Sequence, residues 1–350
     1  MSISFKSITL NSAGTGTLLK DVLDATKSAQ DLFASYSGTT DLNDLILYNE
    51  TENVTKFFRM YYNCQNATTF PLINTSNGTN FSYMYYYCNK ATSFPELNTS
   101  NGTDFSYMYY GCNKTTSFPA LDTSKGTNFK YMYQNSSKAT SFPLLNTSNG
   151  TDFSYMYSGC KNATTYPAID TSQGTNFEYM YSNCETATSF PPLDTSNGTR
   201  FKGMYNVCRK ATSFPPLNTS KGTDFTYMFY YCNEIEKIDI SHFKFSSTTY
   251  TSYWCAYDYK LKAVIIRSFG SSYALNSSAF NSCYHILGTK NTIYNPEGLK
   301  DGYIYVPRDM IETLSTATNW STYASQLRAL EDYTVDGTTT GAFDDAKAGL

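Results

Sequence analysis

The sequence predicts an α/β repeat solenoid, and two observations support this fold class. First, an aromatic residue followed by proline recurs every 24 residues without insertion, at Phe70, Phe94, Phe118, Phe142, Tyr166, Phe190 and Phe214. Second, each pair is followed by an aliphatic residue, a Thr-Ser-x-Gly-Thr segment and a second aromatic stretch in constant register. A fixed period of this length is the signature of stacked supersecondary units, here called repeats.

Each repeat is predicted to contain a short strand, a turn and a short helix. The stretch Ala91–Phe94 is the expected strand, and Pro95 ends its pairing because proline lacks a backbone donor. The pattern aromatic-x-x-Met-Tyr-x-x-Cys, as in Phe105 to Cys112, places apolar residues on one helical face. The Thr-Ser-x-Gly-Thr segment is expected to supply capping hydroxyls and a glycine with positive φ.

The period also predicts the organisation of the chain. We expect an N-terminal strand with a capping helix, a repeat solenoid, degenerate repeats, a C-terminal cap and a flexible tail, spanning residues 1–45, 46–240, 241–300, 301–331 and 332–350.

The flanking regions have their own predicted elements. An amphipathic helix over Leu18–Tyr36 is expected to cover the open end of the core. Near the other end, Ala263–Ile266 and Tyr303–Pro307 are typical of strands. Asp309–Ala317 and Ser321–Leu330 are typical of closing helices.

The segment Cys-Asn-Lys-Ala-Thr-Ser-Phe-Pro-Glu-Leu-Asn-Thr-Ser-Asn-Gly-Thr-Asp-Phe-Ser-Tyr-Met-Tyr, residues 88–109, resembles the BspA-like leucine-rich repeat family. Tyr303–Pro307 and Ala317–Ala324 resemble the C-terminal end of such proteins, including those of phages and prophages. The resemblance covers most of the chain and implies a leucine-rich-repeat-like solenoid for surface attachment or receptor recognition. One departure is a small residue where the family usually has leucine, at Ala67, Ala91, Ala139, Ala163, Ala187 and Ala211.

Seven cysteines follow the same register, with Ser136 at the single gap: Cys64, Cys88, Cys112, Cys160, Cys184, Cys208 and Cys232. We interpret them as buried free thiols that act as small apolar residues. Disulfides between neighbouring repeats are the alternative, but an odd total and Ser136 argue against them. A metal site is not expected, because no Cys-x-x-Cys pair exists and only His242 and His285 could assist.

Catalytic motifs are absent from the sequence: it has neither a Gly-x-Ser-x-Gly elbow nor a phosphate-binding Gly-Lys-Ser/Thr loop. Cys283 and His285 are two residues apart, a separation at which a nucleophile–base pair rarely forms. We therefore expect no enzyme activity and no cofactor. The many Asn-x-Ser/Thr triplets are interpreted as turn chemistry rather than as glycosylation acceptors.

Charge and hydropathy limit the expected partners. The formal net charge is only −3, which provides no basic field for nucleic acid or an anionic membrane. No run approaches the length of a transmembrane helix, so membrane insertion is not expected. Met1–Leu10 lacks the pattern of a standard secretion signal.

The candidate binding residues point away from the predicted core. Two positions after each aromatic of the helical stretch stands a tyrosine, with Gly203 interrupting the series: Tyr83, Tyr107, Tyr131, Tyr155, Tyr179 and Tyr227. Stacking should align these side chains as an exposed row suited to sugars or protein surfaces. The next exposed pair changes from repeat to repeat, for example Tyr86-Tyr87, Gln134-Asn135 and Ser158-Gly159. Recent duplication, or a ladder that solubilises the layer, would explain the tyrosines equally well.

The leading hypothesis is a non-enzymatic adhesion or receptor-recognition protein. We place it on a phage virion, as a tail fibre or tail-associated protein, or on a bacterial cell surface. Its expected partner is a cell-surface glycan or protein receptor, with assembly into a homo-oligomer or a virion. A purely structural spacer is the alternative, and an accessory to an enzyme is a third hypothesis.

Overall fold

The computed structural model describes residues 23–37, 42–43, 46, 48–240, 250–269 and 273–332. The predicted N-terminal strand and nearly all of the predicted tail, from residue 333, lie outside these residues. The chain divides into two compact halves, called here the N-half (Met1–Gly174) and the C-half (Thr175–Leu350). Both halves contain 24-residue repeats, so the fold is a repeat fold.

Each repeat contains a run of overlapping turns where the short helix was predicted. In the run Phe81–Cys88, the N–H groups of Met84, Tyr86 and Cys88 donate to carbonyls three residues back, each at 3.2 Å. The intervening N–H groups, such as that of Tyr85, donate instead to the next repeat at 2.7–2.9 Å. A helix would keep all these donors within itself, so the helix prediction is wrong. The alternation couples neighbouring repeats through their backbones.

Left-handed backbone conformations make this alternation possible. Tyr83 and Tyr87 have φ values of 57° and 59°, and the corresponding residues of the other runs are also left-handed. The predicted inward face is nevertheless correct, because Phe81, Met84 and Cys88 are fully buried. Because each turn closes over three residues, the run buries positions that are three and four residues apart, as a helix would.

In the repeats of the N-half, the strand prediction is wrong in its location. Parallel pairing occurs at a single residue per repeat, directly before the turn run, along Lys56, Asn80, Asp104, Asn128 and Asp152 in the N-half. In the C-half the same bridges join Asn176, Arg200, Asp224 and Tyr250. The residues 91–94 form no strand. Each bridge ends after one residue because the turn run begins at the next one.

The glycine of the Thr-Ser-x-Gly-Thr segment has a different role from the one predicted. Gly102 does not adopt a positive φ. A Cβ atom at this position would lie 2.5 Å from Cζ of Phe105 and 3.0 Å from the Thr99 carbonyl oxygen. The glycine is therefore required by the close approach of an aromatic ring.

The threonine hydroxyls connect repeats, whereas the sequence predicted that they would cap a helix. The Thr99 hydroxyl donates to the Asp122 carbonyl of the following repeat at 2.8 Å. The Thr103 hydroxyl donates to the Thr79 carbonyl of the preceding repeat at 3.1 Å.

Identical side chains stack along the core. The rings of Phe81, Phe105 and Phe129 lie 5.8 Å apart with interplanar angles of 6–7°. Tyr85 and Tyr109 form a second buried stack at 5.6 Å. Stacking shares each apolar face between two repeats, which a single repeat could not bury alone.

The cysteine register forms a buried ladder of hydrogen bonds. The Cys88 thiol donates to the Tyr61 carbonyl at 3.2 Å, and Cys160 makes the same contact to Tyr133 at 3.2 Å. Ser136 replaces the thiol with a hydroxyl that donates to Tyr109 at 2.9 Å. All nine cysteines are free and buried, in agreement with the interpretation from the sequence. Burial raises the pKa of the Cys112 thiol well above its ordinary value, so this thiol stays protonated.

The N-terminal region contains one more turn run, and the predicted helix over Leu18–Tyr36 is wrong for most of its described length. Residues 23–26 form a single helical turn. Beyond it, Leu32, Ala34 and Tyr36 donate three residues back, while Phe33 donates to Met60 at 2.8 Å. The reason is again a left-handed backbone, which occurs at Lys27, Asp31 and Ser35.

A four-stranded parallel sheet lies in the C-half: β1 Lys237–Asp239, β2 Ala263–Ile265, β3 Tyr303–Val306 and β4 Leu327–Ala329. The strands are hydrogen-bonded in chain order. The predictions for β2 and β3 are confirmed, whereas β1 and β4 were not predicted. β4 lies within the segment 321–330, whose pattern was interpreted as a closing helix.

The helices of the described residues are short. Besides the helical turn at residues 23–26, they are α1 Tyr284–Leu287 and α2 Ile311–Thr316, with 3-10 turns at Tyr48–Thr51, Arg308–Met310, Ser321–Gln326 and Leu330–Asp332. The closing helix predicted near residue 309 is confirmed by α2. The helix predicted over Ser321–Leu330 is wrong in part, because a 3-10 turn gives way to β4.

Asp258 occupies the cysteine position in a degenerate repeat. It directly follows the left-handed Tyr257, as Cys88 follows Tyr87. One carboxyl oxygen accepts the Cys232 N–H at 2.7 Å, and the other has no partner among the described residues. Burial raises the pKa of this carboxyl well above its ordinary value, although the Cys232 hydrogen bond opposes the shift. The folded protein therefore holds the Asp258 proton to a higher pH than the unfolded chain does.

We expect Tyr109→Phe to leave the free energy of unfolding unchanged or to raise it by about 1 kcal/mol. The Tyr109 hydroxyl is buried and has no hydrogen-bond partner among the described residues, so its removal costs no protein contact. Phe229 already occupies the same position of a later repeat. Tyr109→Leu is the control, which should destabilise by about 1–3 kcal/mol because it loses the ring stack. If urea denaturation shows that Tyr109→Phe lowers the free energy of unfolding by more than about 1 kcal/mol, the Tyr109 hydroxyl does have a hydrogen-bond partner in the folded protein.

Asp258→Asn should remove a pH dependence of stability. The unfolded carboxyl releases its proton near pH 4 and the folded carboxyl only at a higher pH, so the wild type loses stability as pH rises above about 4. Asparagine keeps an acceptor for the Cys232 N–H and cannot ionise. The free energy of unfolding of Asp258→Asn minus that of the wild type should be larger at pH 8 than at pH 4.5 by at least about 1 kcal/mol. Urea denaturation at the two pH values measures this difference. An equal difference at both pH values would show that Asp258 ionises normally.

Candidate binding face

Four of the predicted tyrosines form one row in the N-half. The rings of Tyr83, Tyr107, Tyr131 and Tyr155 stack at 4.3, 4.3 and 4.5 Å with interplanar angles of 6–10°. We call this set the tyrosine row. Its side chains are half-buried, whereas the prediction had them exposed. Neighbouring rings cover the flat faces, so the row presents ring edges and hydroxyl groups to a partner.

The backbone of the tyrosine row is conformationally unfavourable for tyrosine. The four φ values are 57°, 57°, 59° and 58°. Such values cost a non-glycine residue about 1 kcal/mol or more, and glycine or asparagine adopt them at lower cost. The second left-handed position of three of these runs does use those residues, at Gly111, Asn135 and Gly159, whereas the first of the four runs has Tyr87 there. The tyrosine side chain is therefore retained at its position despite the backbone.

The hydroxyl groups of the row interact with one another. The pKa of Tyr107 is raised by burial, by neighbouring phenols and by hydrogen bonds with Tyr83 and Tyr131. The Tyr107 phenol therefore remains neutral at physiological pH, so it offers both a donor and an acceptor. The row is thus an ordered line of polar groups on an aromatic support.

A second column lies beside the first part of the row. Tyr62, Tyr86 and Tyr110 stack at 4.7 Å, and burial with neighbouring tyrosines raises the pKa of Tyr86 to about 12. Arg59 lies 4.3 Å above the ring of Tyr62 and pairs with Asp31 at 3.1 Å. This column occurs in three successive repeats and is replaced afterwards by Gln134 and Ser158. Its local occurrence distinguishes it from a feature that every repeat needs.

Gly203 interrupts the tyrosine series in the C-half for a steric reason. A Cβ atom there would lie 2.8 Å from Cζ of Tyr179 and closer still to two other ring carbons. Tyr179 therefore rests over Gly203 and fills the space of the missing side chain. Tyr227 stacks instead on Tyr253 at 5.3 Å.

A larger aromatic cluster follows in the C-half. Its rings contact one another at 4.6–5.6 Å and belong to Tyr227, Tyr230, Tyr231, Tyr253, Tyr257, Tyr259, Tyr284 and Tyr294. Arg209 lies 4.7 Å above the Tyr231 ring. The sequence pattern missed most of this cluster because the repeats lengthen here: Tyr253 stands 26 residues after Tyr227.

Cys283 and His285, the two candidate residues for catalysis or metal binding in the C-half, have different hydrogen-bond partners. The Cys283 thiol donates to the Cys255 carbonyl at 2.8 Å, while His285 contacts Asp301 and the Tyr294 carbonyl at 2.6 and 3.0 Å. The two residues thus do not contact one another. Among the described ranges, no group of three His, Cys, Asp or Glu residues is arranged to hold a metal ion. The helices of the described part are all too short or too polar to cross a membrane.

The Asn-x-Ser/Thr triplets have a structural use. The Asn101 amide donates to the Ser76 carbonyl of the preceding repeat at 2.8 Å, and Asn149 makes the same bond to Ser124. The Asn98 side-chain oxygen accepts the Ser100 N–H at 3.2 Å, forming a local turn. These contacts agree with the interpretation of the triplets as turn chemistry.

Comparison with known proteins identifies a repeat family. No curated protein matches the chain. One family model, described as "Mycoplasma protein of unknown function, DUF285", matches four overlapping stretches, residues 21–117, 65–167, 103–214 and 151–267. Together they extend over residues 21–267, which is more than half of the chain. The protein therefore belongs to the DUF285 family.

Proposed function

We propose that this chain is a non-enzymatic adhesion or receptor-recognition protein that binds through the tyrosine row. The observation that supports it best is the retention of tyrosine at left-handed positions where asparagine or glycine costs less. A residue type that is unfavourable for the backbone conformation at its position is retained because of its side chain. Rigid tyrosines that present ring edges and hydroxyl groups are typical of recognition surfaces.

The partner of this surface is a cell-surface glycan or a protein receptor. Polar groups repeat along the tyrosine row, and the adjoining column of Tyr62, Tyr86 and Tyr110 adds an aromatic patch at one end only. The regular tyrosine row suits features that related partners share. The column beside it, which occurs in only three repeats, suits features that distinguish one partner from another. Tyrosine can offer apolar contact and hydrogen bonds at a low entropic cost.

The BspA-like resemblance supports a place on a phage virion, as a tail fibre or tail-associated protein, or on a bacterial cell surface. It also supports a leucine-rich-repeat-like solenoid as the fold within each half. The backbone bonds between successive repeats, such as those from Tyr83 to Ser106 and from Tyr107 to Lys130, favour the same conclusion. Assembly into a homo-oligomer or a virion is part of the proposal.

The test is binding of the labelled protein to intact bacterial cells and to isolated envelope polysaccharides. The triple variant Tyr107→Asn, Tyr131→Asn and Tyr155→Asn removes three rings but keeps a residue that tolerates positive φ. We expect at least about a ten-fold fall in affinity, because buried tyrosines at interfaces commonly contribute more than 1 kcal/mol each.

A matched control replaces three exposed tyrosines outside the row, Tyr48, Tyr250 and Tyr273, with asparagine. This control should bind as the wild type does. If the folded wild type binds nothing in the panel, or if the row variant binds unchanged, the spacer hypothesis is the better account. Circular dichroism of both variants checks that the fold is retained.

A further inference from the structure

The loop of residues 289–300 projects two apolar side chains into solvent. Asn291 and Asn295 pair across its base with backbone bonds of 2.8 and 3.1 Å. Ile293 stands between them at the tip with 77% of its surface exposed, and Leu299 follows with 52% exposed. An unsupported loop would bury such side chains against its own protein.

Buried polar contacts prevent that collapse. Asn295 is almost fully buried, and its amide nitrogen contacts the carbonyls of Tyr284, Thr289 and Leu299 at 3.1, 3.2 and 2.8 Å. Its side-chain oxygen accepts the Leu299 N–H at 2.9 Å. One side chain therefore holds both ends of the loop.

His285 provides a second fixed point from below. Its Nε2 atom lies 3.0 Å from the Tyr294 carbonyl, directly after the tip, and its Nδ1 atom lies 2.6 Å from Asp301. Lys262 contacts the other oxygen of Asp301 at 3.2 Å. Burial alone would raise the pKa of Asp301, but His285 and Lys262 together hold it below its ordinary value. The loop is thus anchored to β2 and to the segment that leads into β3.

The surroundings of the tip combine tyrosines with lysines. The Tyr294 ring lies 4.6 Å from that of Tyr259 at an interplanar angle of 37°, and Tyr259 in turn stacks on Tyr284 at 5.2 Å. Lys290 and Lys300 lie exposed at the two ends of the loop, with Glu297 as its only acidic residue. The loop therefore has a local charge of about +1, although the whole chain is negative.

We propose that this loop inserts its tip into the headgroup region of an anionic lipid bilayer. Two projecting side chains offer far less than the roughly 1,000 Å² that a specific protein interface requires. Transfer into lipid needs no such area, because each apolar side chain contributes separately. Tyrosines suit the boundary between water and hydrocarbon, and lysines are attracted to anionic headgroups.

The proposed lipid contact goes beyond the recognition function of the tyrosine row and does not depend on it. Contact with lipid would bring the protein to a membrane surface reversibly, since two side chains and two lysines give only modest affinity. The expectation against an anionic membrane partner rested on the charge of the whole chain, whereas this contact depends on one loop.

The test is sedimentation of the full chain with vesicles of phosphatidylcholine, with and without about one third phosphatidylglycerol. We expect binding that requires the anionic lipid and weakens with salt. The double variant Ile293→Ser and Leu299→Ser should lower the partition coefficient at least about ten-fold. Both side chains are exposed, so the fold should be unaffected.

The matched control is Leu72→Ser with Leu144→Ser, two leucines that are 56% and 71% exposed in the N-half. This control should partition as the wild type does. The proposal is overturned if the wild type fails to bind anionic vesicles or if the loop variant binds equally well. Loss of cell binding by the loop variant without vesicle binding by the wild type would indicate a protein partner instead. The tyrosine-row variant should bind vesicles normally, which separates this result from the proposed recognition function.

Discussion

The structure depends on how each turn run divides its backbone donors. Every second N–H group closes a turn within the repeat, and the others donate to the next repeat, as Tyr83 and Tyr85 do. This division satisfies the backbone in a buried layer without forming a helix or a long strand. It requires two left-handed residues per run, and these residues then decide which side chains point outward. The tyrosine row and the core stacks are both consequences of that backbone path.

The core accommodates polar side-chain atoms because thiols and one hydroxyl make the same hydrogen bond in successive repeats. Thiols and one hydroxyl, at Ser136, serve the same carbonyl acceptors, so the ladder continues through the substitution. At the same position of a later repeat, the Asp258 carboxyl instead accepts the Cys232 N–H, and burial raises its pKa. Buried phenols such as those of Tyr85 and Tyr109 gain ring stacking and solvent exclusion, although their hydroxyls have no partner in the described chain. Shape and stacking therefore contribute more here than complete hydrogen bonding.

The sequence was sufficient for the period, the inward positions and two strands of the C-half, because these depend on spacing alone. It was insufficient for the backbone, since residues at intervals of three and four are buried by consecutive turns as well as by a helix. Asn135 and Gly159 gave a signal for left-handed turns, but they were interpreted as a variable surface. The sequence pattern identified Tyr83 and Tyr107, but the period alone could not predict that their rings stack face to face. The aromatic cluster near Tyr259 was missed where the period lengthens.

The bonds between repeats also bear on how such a protein changes over generations. A donor in one turn run reaches only the adjacent run, for example from Phe105 to Asn128 and from Phe129 to Asp152. Removing or duplicating one 24-residue segment of the gene would therefore recreate the same junction on either side. Unequal recombination between such near-identical segments can lengthen or shorten the tyrosine row by one ring at a time. A change in copy number would thus alter the length of the tyrosine row while the core chemistry stays constant.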